Sequence, residues 1–110
     1  MITPISAAKV LPAGTDHVVE YTPASGSEME VIEFIADAAF TNLACVQLIW
    51  KYGTSDELVW SITGSSSMPQ RFKPPTIEID GVNKLALILK NDTAGQVSLS
   101  GYVEIETRDV

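Results

Sequence analysis

The residue types that carry most enzyme chemistry are scarce in this chain. His17 is the one histidine and Cys45 the one cysteine, whereas catalysis needs a nucleophile, a base and their partners in a defined arrangement. No serine lies in the Gly-x-Ser-x-Gly turn that presents a hydrolase nucleophile. We therefore expect no enzymatic activity, an exposed strand position for His17 and a buried, inert thiol for Cys45, which lies in an apolar run.

Metal and cofactor sites are not indicated either. A zinc site needs several Cys or His ligands, and one of each does not supply them. The acidic sites Asp56-Glu57 and Asp80 with Asn83 are predicted in loops, but neither follows the EF-hand order of oxygen ligands. Glu104 and Glu106 share a strand face that we expect to be open to solvent, unlike a glycosidase pair. Gly-rich phosphate loops are absent, so we predict no cofactor and no metal.

One segment combines residue types that are enriched at protein interfaces. Arg71 and Lys73 are the basic cluster of the chain, on either side of Phe72 and just before Pro74-Pro75. Proline restricts helix and central-strand conformations, which predicts an exposed crossing or edge. Our candidate partner-contact residues are Met68, Arg71, Phe72 and Lys73. An ordinary loop over one end of the domain explains the same segment equally well.

Length and charge limit the classes of partner. The 110 residues fit one domain, 1–110, and carry a formal charge of −7. Such an acidic chain repels phosphate backbones, so nucleic acid is not an expected partner. Between Lys9 and Lys51 there is no Lys or Arg, but there are six acids: Asp16, Glu20, Glu28, Glu30, Glu33 and Asp37. This segment either steers a basic partner or forms a solvated face.

Targeting signals are not found in the sequence. The start of the chain lacks the basic residues and apolar stretch of a signal peptide. The longest aliphatic run, Leu85 to Leu89, is too short to cross a bilayer. We expect synthesis in the cytoplasm and no membrane partner.

The elements that would position any site are short strands. Turn signals recur about every eight to twelve residues, as in sandwiches and barrels. Residues 97–106 alternate apolar with polar side chains, and Gly101 on the apolar side predicts a bulge or a close approach. Leu85, Leu87 and Leu89 indicate a second strand, and we predict that residues 91–95 close a hairpin between the two. Val46, Leu48 and Trp50 share one strand face, and the same alternation is predicted for Leu58, Trp60 and Ile62.

Residues 28–40 admit two interpretations. Ser27 with Glu30 fits a helix capping box, and Glu30, Glu33 and Asp37 fall on one helical face. Against this, Val31, Ile32, Phe34 and Ile35 favour a strand. We predict a strand through about Ala36. The fold class is then all-β: one antiparallel sandwich of about seven or eight strands with Greek-key or jelly-roll connections.

Three stretches of the sequence carry a resemblance to a known family: Leu11 to Thr15, Val46 to Gly53 and Gly81 to Leu87. They resemble small virion-associated β-sandwich proteins of tailed bacteriophages. The resemblance covers much of the chain without a diagnostic motif, and it implies no functional residue. It implies capsid decoration, cementing or a head–tail role, with self-association (a homotrimer) and binding to the major capsid protein or another virion protein. The protein would then reside in the virion.

Two functions follow as expectations. The first is a non-enzymatic virion structural protein, most simply a capsid decoration or cement protein acting by protein–protein contacts. The alternative is a carbohydrate-binding sandwich on the host surface or a fibre, with Trp50, Trp60 or Tyr102 as a stacking platform. The glycan alternative requires at least one of these rings to be exposed.

Overall fold

The computed structural model describes residues 2–23, 27–38, 43–52, 55–68 and 84–109. These residues form eight strands: β1 (Ile2–Leu11), β2 (Thr15–Tyr21), β3 (Ser27–Asp37), β4 (Ala44–Tyr52), β5 (Ser55–Ile62), β6 (Ser66–Met68), β7 (Lys84–Asn91) and β8 (Val97–Asp109). No helix in these ranges has the length and apolar character needed to cross a membrane. The predicted all-β class is confirmed.

The strands form two antiparallel sheets with a nested connectivity. Sheet A has the order β1-β8-β3-β6, and sheet B has the order β2-β7-β4-β5. The first strand pairs with the eighth, the second with the seventh, the third with the sixth and the fourth with the fifth. This is a long antiparallel ribbon folded over on itself, the arrangement of an eight-stranded jelly roll.

The ribbon crosses between the two sheets where β1 leads into β2 and where β7 leads into β8. Asn91 joins these two crossovers and is fully buried. Its Nδ2 donates to the Leu11 carbonyl at 3.0 Å and to the Pro12 carbonyl at 3.2 Å on one crossover. It also donates to the Gly95 carbonyl at 2.9 Å on the other, while Oδ1 accepts from the Thr93 amide at 3.0 Å. One side chain therefore satisfies backbone groups of both crossovers.

The predicted hairpin between residues 85–90 and 97–106 is wrong. β7 pairs with β2 and β4, whereas β8 pairs with β1 and β3. Residues 92–96 carry the chain from one sheet to the other, because the carboxamide of Asn91 holds their start against the crossover that follows β1. Among the described residues, β4 and β5 form the one hairpin of consecutive strands.

A second pair of crossovers is also cross-linked. The chain passes from β3 to β4 and from β5 to β6, and the Ala38 amide donates to the Gly64 carbonyl at 3.1 Å. The Ser65 hydroxyl donates to the Asp37 carboxylate at 2.6 Å. Gly64 has a φ of 87°, a left-handed conformation that favours glycine. These hydrogen bonds fix this fold of the ribbon, as those of Asn91 fix the fold between β1 and β2.

The core lies between the two sheets and is mostly aliphatic. Sheet A contributes Val31, Phe34, Val103 and Ile105, and sheet B contributes Val46, Leu48, Trp50, Leu85, Leu87 and Leu89, all essentially inaccessible to solvent. At Gly101 the sheets approach closely: a Cβ there would lie 2.9 Å from Val46 Cγ1 and 3.1 Å from Leu87 Cδ1. The close approach predicted at Gly101 is confirmed.

The segment with two interpretations is a strand, as predicted. β3 runs from Ser27 to Asp37, and its pairing with β8 shifts by one residue between Val31 and Glu33. This β-bulge at Ile32 changes which side chains face outward. Val31 and Phe34 both face the core, while Glu30 and Glu33 both face away from it.

A second bulge corrects the prediction for β5. The pairing of β4 with β5 shifts between Leu48 and Ile49, so that Trp60 lies opposite Leu48 but Leu58 lies opposite Ile49. Leu58 therefore faces outward and is 55% exposed, although Ile62 is buried as predicted. The prediction that Leu58, Trp60 and Ile62 share one face is therefore wrong. The extra residue of β5 lies between Leu58 and Trp60, so the side chains before it point to the opposite face from the one predicted.

We predict that Asn91→Ala lowers the free energy of unfolding by about 2–4 kcal/mol, because buried carbonyls of both crossovers lose their donor. Urea unfolding followed by circular dichroism measures the change. Ser98→Ala, at an exposed position beside the same crossover, is the control and should change stability by less than about 0.5 kcal/mol. Equal stabilities for the two variants would contradict the role assigned to Asn91.

Candidate functional site

A groove of about 690 Å³ crosses the outer face of sheet A. Ser6 and Ala8 of β1, Ser100 of β8 and the loop residue Ser65 contribute small side chains to it. Its larger lining residues are Tyr102, Ile35 and Asp37. A smaller depression of about 260 Å³ continues it past Val10 and Ser98. The volume is in the range of ligand-binding clefts, although the groove lies on an open sheet face.

The groove exists because small side chains from neighbouring strands are in register. Ser6 lies opposite Tyr102, and Ala8 lies opposite Ser100, which in turn lies opposite Asp37. The short side chains of Ala8 and Ser100 expose the sheet surface between the taller flanking residues. The groove on sheet A is thus lined by both polar and apolar side chains.

Two carboxylates lie beside this groove, two residues along the strands from Ile35 and Tyr102. Glu33 of β3 is directly opposite Glu104 of β8, and both side chains are half-buried. Side chains in such cross-strand pairs have Cβ atoms about 5 Å apart, and like charges in that position are destabilising. The bulge at Ile32 creates the pair, since without the extra residue Glu33 would face the core.

Tyr102 connects the two carboxylates with the groove. Its hydroxyl donates to Glu104 Oε2 at 3.3 Å, and the ring lines the groove beside Ile35. Partial burial is the main cause that raises the pKa of Tyr102 above its ordinary value of 10.0. The charge on Glu104, its hydrogen bond and the charge on Glu33 raise the pKa further. The groove therefore borders a region of negative potential.

The remaining acids of this face are partly compensated. Arg108 Nη2 lies 3.0 Å from Glu30 Oε2 and 3.3 Å from Glu106 Oε2. This guanidinium lies near the C-terminal end of β8, beyond the groove. Among the described residues, no base forms an ion pair with Glu33, Glu104 or Asp37.

The outer face of sheet B is different in character. Its aliphatic patch consists of Val18, Ile49, Leu58 and Ile88, which lie on all four strands. Val18 is 44% exposed, and Leu58 is 55% exposed. Beside the patch, Glu20 Oε2 lies 3.4 Å from Lys51 Nζ and 3.9 Å from Lys84 Nζ. This group beside the patch therefore carries no net negative charge.

The candidate residues predicted from sequence are only partly covered by the structure. Met68 ends β6 opposite Phe34, but its side chain and the residues Arg71, Phe72 and Lys73 lie outside the described residues. That prediction therefore remains a prediction. The same holds for Asp80 and Asn83.

The other chemistry-bearing residues take structural positions. Cys45 is a free, buried cysteine, as predicted. His17 lies in β2 and is half-buried rather than exposed. Asp56 and Glu57 lie within β5, not in a loop. Glu104 and Glu106 do share one face, but they are half-buried. No three His, Cys, Asp or Glu side chains cluster as metal ligands within the described ranges.

The three rings proposed as a sugar platform differ in accessibility. Trp50 is fully buried, and its Nε1 has no hydrogen-bond partner within the part of the chain that the structure describes. Trp60 is half-buried, with its ring centroid 6.1 Å from that of Phe34. The role of Trp50 as a platform is therefore wrong, because its ring fills the core. Tyr102 is the ring that lines the groove.

We predict that Glu104→Gln lowers the pKa of Tyr102 towards 10.0 but not fully to it, because partial burial remains. Since the folded state holds the phenol proton more tightly than the unfolded state, wild-type stability should fall as pH rises past 10.0, and fall less in the variant. NMR titration of the tyrosine ring carbons measures the pKa, with Tyr102→Phe for assignment. An unchanged Tyr102 titration would contradict this account.

Comparisons with known proteins give little further information. No protein-family model matches the sequence, and no curated protein matches it. Among solved structures, the chain is similar to the crystal structure of FlhE, with a TM-score of 0.45 and 9% sequence identity, over 99% of this chain and 98% of that chain.

Proposed function

We propose that the protein is a non-enzymatic structural module that acts by protein–protein contacts, as a capsid decoration or cement protein of a bacteriophage virion. The observation that carries the proposal is the aliphatic patch on the outer face of sheet B. The virion assignment itself comes from the resemblance of the three stretches described above. Such a role needs a rigid fold, solubility and exposed contact faces, but no reacting groups.

The aliphatic patch suits contact with a second copy of the chain. Exposed aliphatic side chains of one patch gain stability when they leave water together. The chain as a whole is strongly acidic, so two copies repel one another across most of their surfaces. On sheet B, Lys51 and Lys84 lie beside Glu20, so this group carries no net negative charge and identical copies can approach there with less repulsion.

The jelly-roll architecture supports this function by analogy. Eight-stranded jelly rolls are frequent among viral capsid domains and also among lectins. One fold serves many functions, so this argument is an analogy. Closed symmetric oligomers are the usual product of self-association, and a trimer is the form that the resemblance implies.

We expect the wild-type protein to form a discrete oligomer that persists on dilution, measured as absolute mass by light scattering. Leu58→Lys should reduce the mass to that of one chain, because it places a charge within the aliphatic patch. Ile2→Lys is the matched control, since Ile2 is 51% exposed on the opposite sheet. A monomer at all concentrations, or equal effects of the two variants, would contradict the proposed self-association.

Glycan binding is the second candidate function, and Tyr102 favours it. Its half-buried ring lies in the groove beside serine hydroxyls and the Asp37 carboxylate, a combination that can stack on a sugar and hydrogen-bond its hydroxyls. We expect a glycan ligand to shift the Tyr102 NMR signals and Tyr102→Ala to abolish its binding. Glycan-array screening without any Tyr102-dependent signal would exclude this function.

A further inference from the structure

The groove on sheet A and the carboxylates beside it form one continuous surface. Tyr102 is shared by both, because its ring lines the groove and its hydroxyl contacts Glu104. A peptide segment bound in the groove would therefore lie next to Glu33 and Glu104, which are two residues along the strands from Ile35 and Tyr102. Any partner that uses the groove meets this pair of charges.

The pair has an electrostatic cost in the isolated protein. Both carboxylates are half-buried and directly opposite one another, and no described base forms an ion pair with either. The two acids at the far end of β8 contrast with them, since Arg108 lies between Glu30 and Glu106. A cation placed between Glu33 and Glu104 would interact with two carboxylates at once.

We propose that this groove binds a short cationic segment of a partner protein, with an arginine or lysine side chain held between Glu33 and Glu104. The inference rests on the proposed function, which is action by protein–protein contacts, and it states which kind of side chain the partner presents to sheet A. Charge complementarity selects the occupant: the acids repel phosphate or sulfate groups and attract basic side chains.

The dimensions of the groove set the length of the segment. The groove involves β1, β8, β3 and the start of β6, which are adjacent strands. Four strands span about 14 Å, which about four residues of extended chain cover. The floor residues Ala8 and Ser100 are small, so a backbone can lie close to the sheet. Ile35, at 39% exposure, offers an apolar contact beside the groove.

The bulge in β3 brings the two carboxylates of this site together. One extra residue, Ile32, turns Glu33 outward to meet Glu104. Without it, the face next to the groove would carry one carboxylate instead of two. The bulge thus places two like charges together at a cost to stability.

Synthetic peptides test the inference. The probe is an octapeptide of alanine and serine that carries two arginines, and its comparison is the same peptide with two glutamates. Binding is measured by calorimetry, and the contact face by amide NMR shifts of the wild-type protein. We expect the arginine peptide to bind at least about tenfold more tightly than the glutamate peptide, which corresponds to about 1.4 kcal/mol. Its shifts should centre on Ser6, Ser100 and Tyr102.

Variants distinguish the carboxylate pair from general acidity. The double variant Glu33→Gln with Glu104→Gln should weaken the arginine peptide about tenfold or more. It should fold normally, because it relieves repulsion. Glu57→Gln is the matched control, since Glu57 is an exposed acid of β5 in the other sheet, and should change affinity less than twofold. Ser100→Leu should block binding by filling the groove without changing the charge.

Several outcomes would overturn the inference. They are equal binding of both peptides, equal losses in the double variant and Glu57→Gln, shifts centred on sheet B, and displacement of the peptide by a neutral oligosaccharide. An oligomer that dissociates in the double variant would show that the occupant is a second copy instead. A stable oligomer with no peptide binding refutes this inference alone, whereas a monomer that binds the peptide refutes the proposed self-association alone.

Discussion

The jelly roll depends on one buried carboxamide. Asn91 is the polar residue that the described core encloses completely, and its hydrogen bonds reach the carbonyls of Leu11, Pro12 and Gly95. A backbone that leaves one sheet for another exposes donors and acceptors that no strand ladder can satisfy. The Asn91 side chain replaces those missing ladder bonds at both crossovers. Because it bonds to both arms of the ribbon, it also fixes where the ribbon folds over.

That fold separates two surfaces with different physical character. Sheet A turns an acidic, grooved face to solvent, whereas sheet B presents aliphatic side chains beside the ion pairs of Glu20. The two bulges sharpen the difference: one turns Glu33 outward on sheet A, and the other turns Leu58 outward on sheet B. Each bulge interrupts a regular pairing to expose a side chain that a regular strand would bury. The two proposals made above accordingly concern different faces of the sandwich.

The sequence predicts those elements whose side chains alternate regularly. β7, β8 and the inward face of β4 follow the period of two, so their existence and core residues could be predicted. β3 was ambiguous for a physical reason. Its bulge puts Glu30 and Glu33 on one face at a spacing of three, which imitates a helix. The orientation of Leu58 could not be predicted either, since a bulge leaves no distinct residue type in the sequence.

The path of the chain was less predictable than its strands. Residues 91–95 have the composition of a turn, and composition does not state whether a turn closes a hairpin or changes sheets. One signal was present: Asn91 continues the inward series of Leu85, Leu87 and Leu89. A polar residue at an inward position needs buried partners, which indicates a crossover or a similar irregularity. The groove and the Glu33–Glu104 pair depend on register between distant strands, which no local pattern specifies.

The position of β8 has a consequence for how the protein is made. This strand is the eighth in chain order, yet it lies between β1 and β3. A ribosome adds about 5–20 residues per second, so the nascent β1 and β3 wait several seconds for their shared neighbour. During that time both strands have edges that can pair with other chains. Pro4, which lacks an amide donor, and the charge of Lys9 interrupt the edge of β1. We interpret these two residues as protection of the nascent chain against aggregation while translation continues.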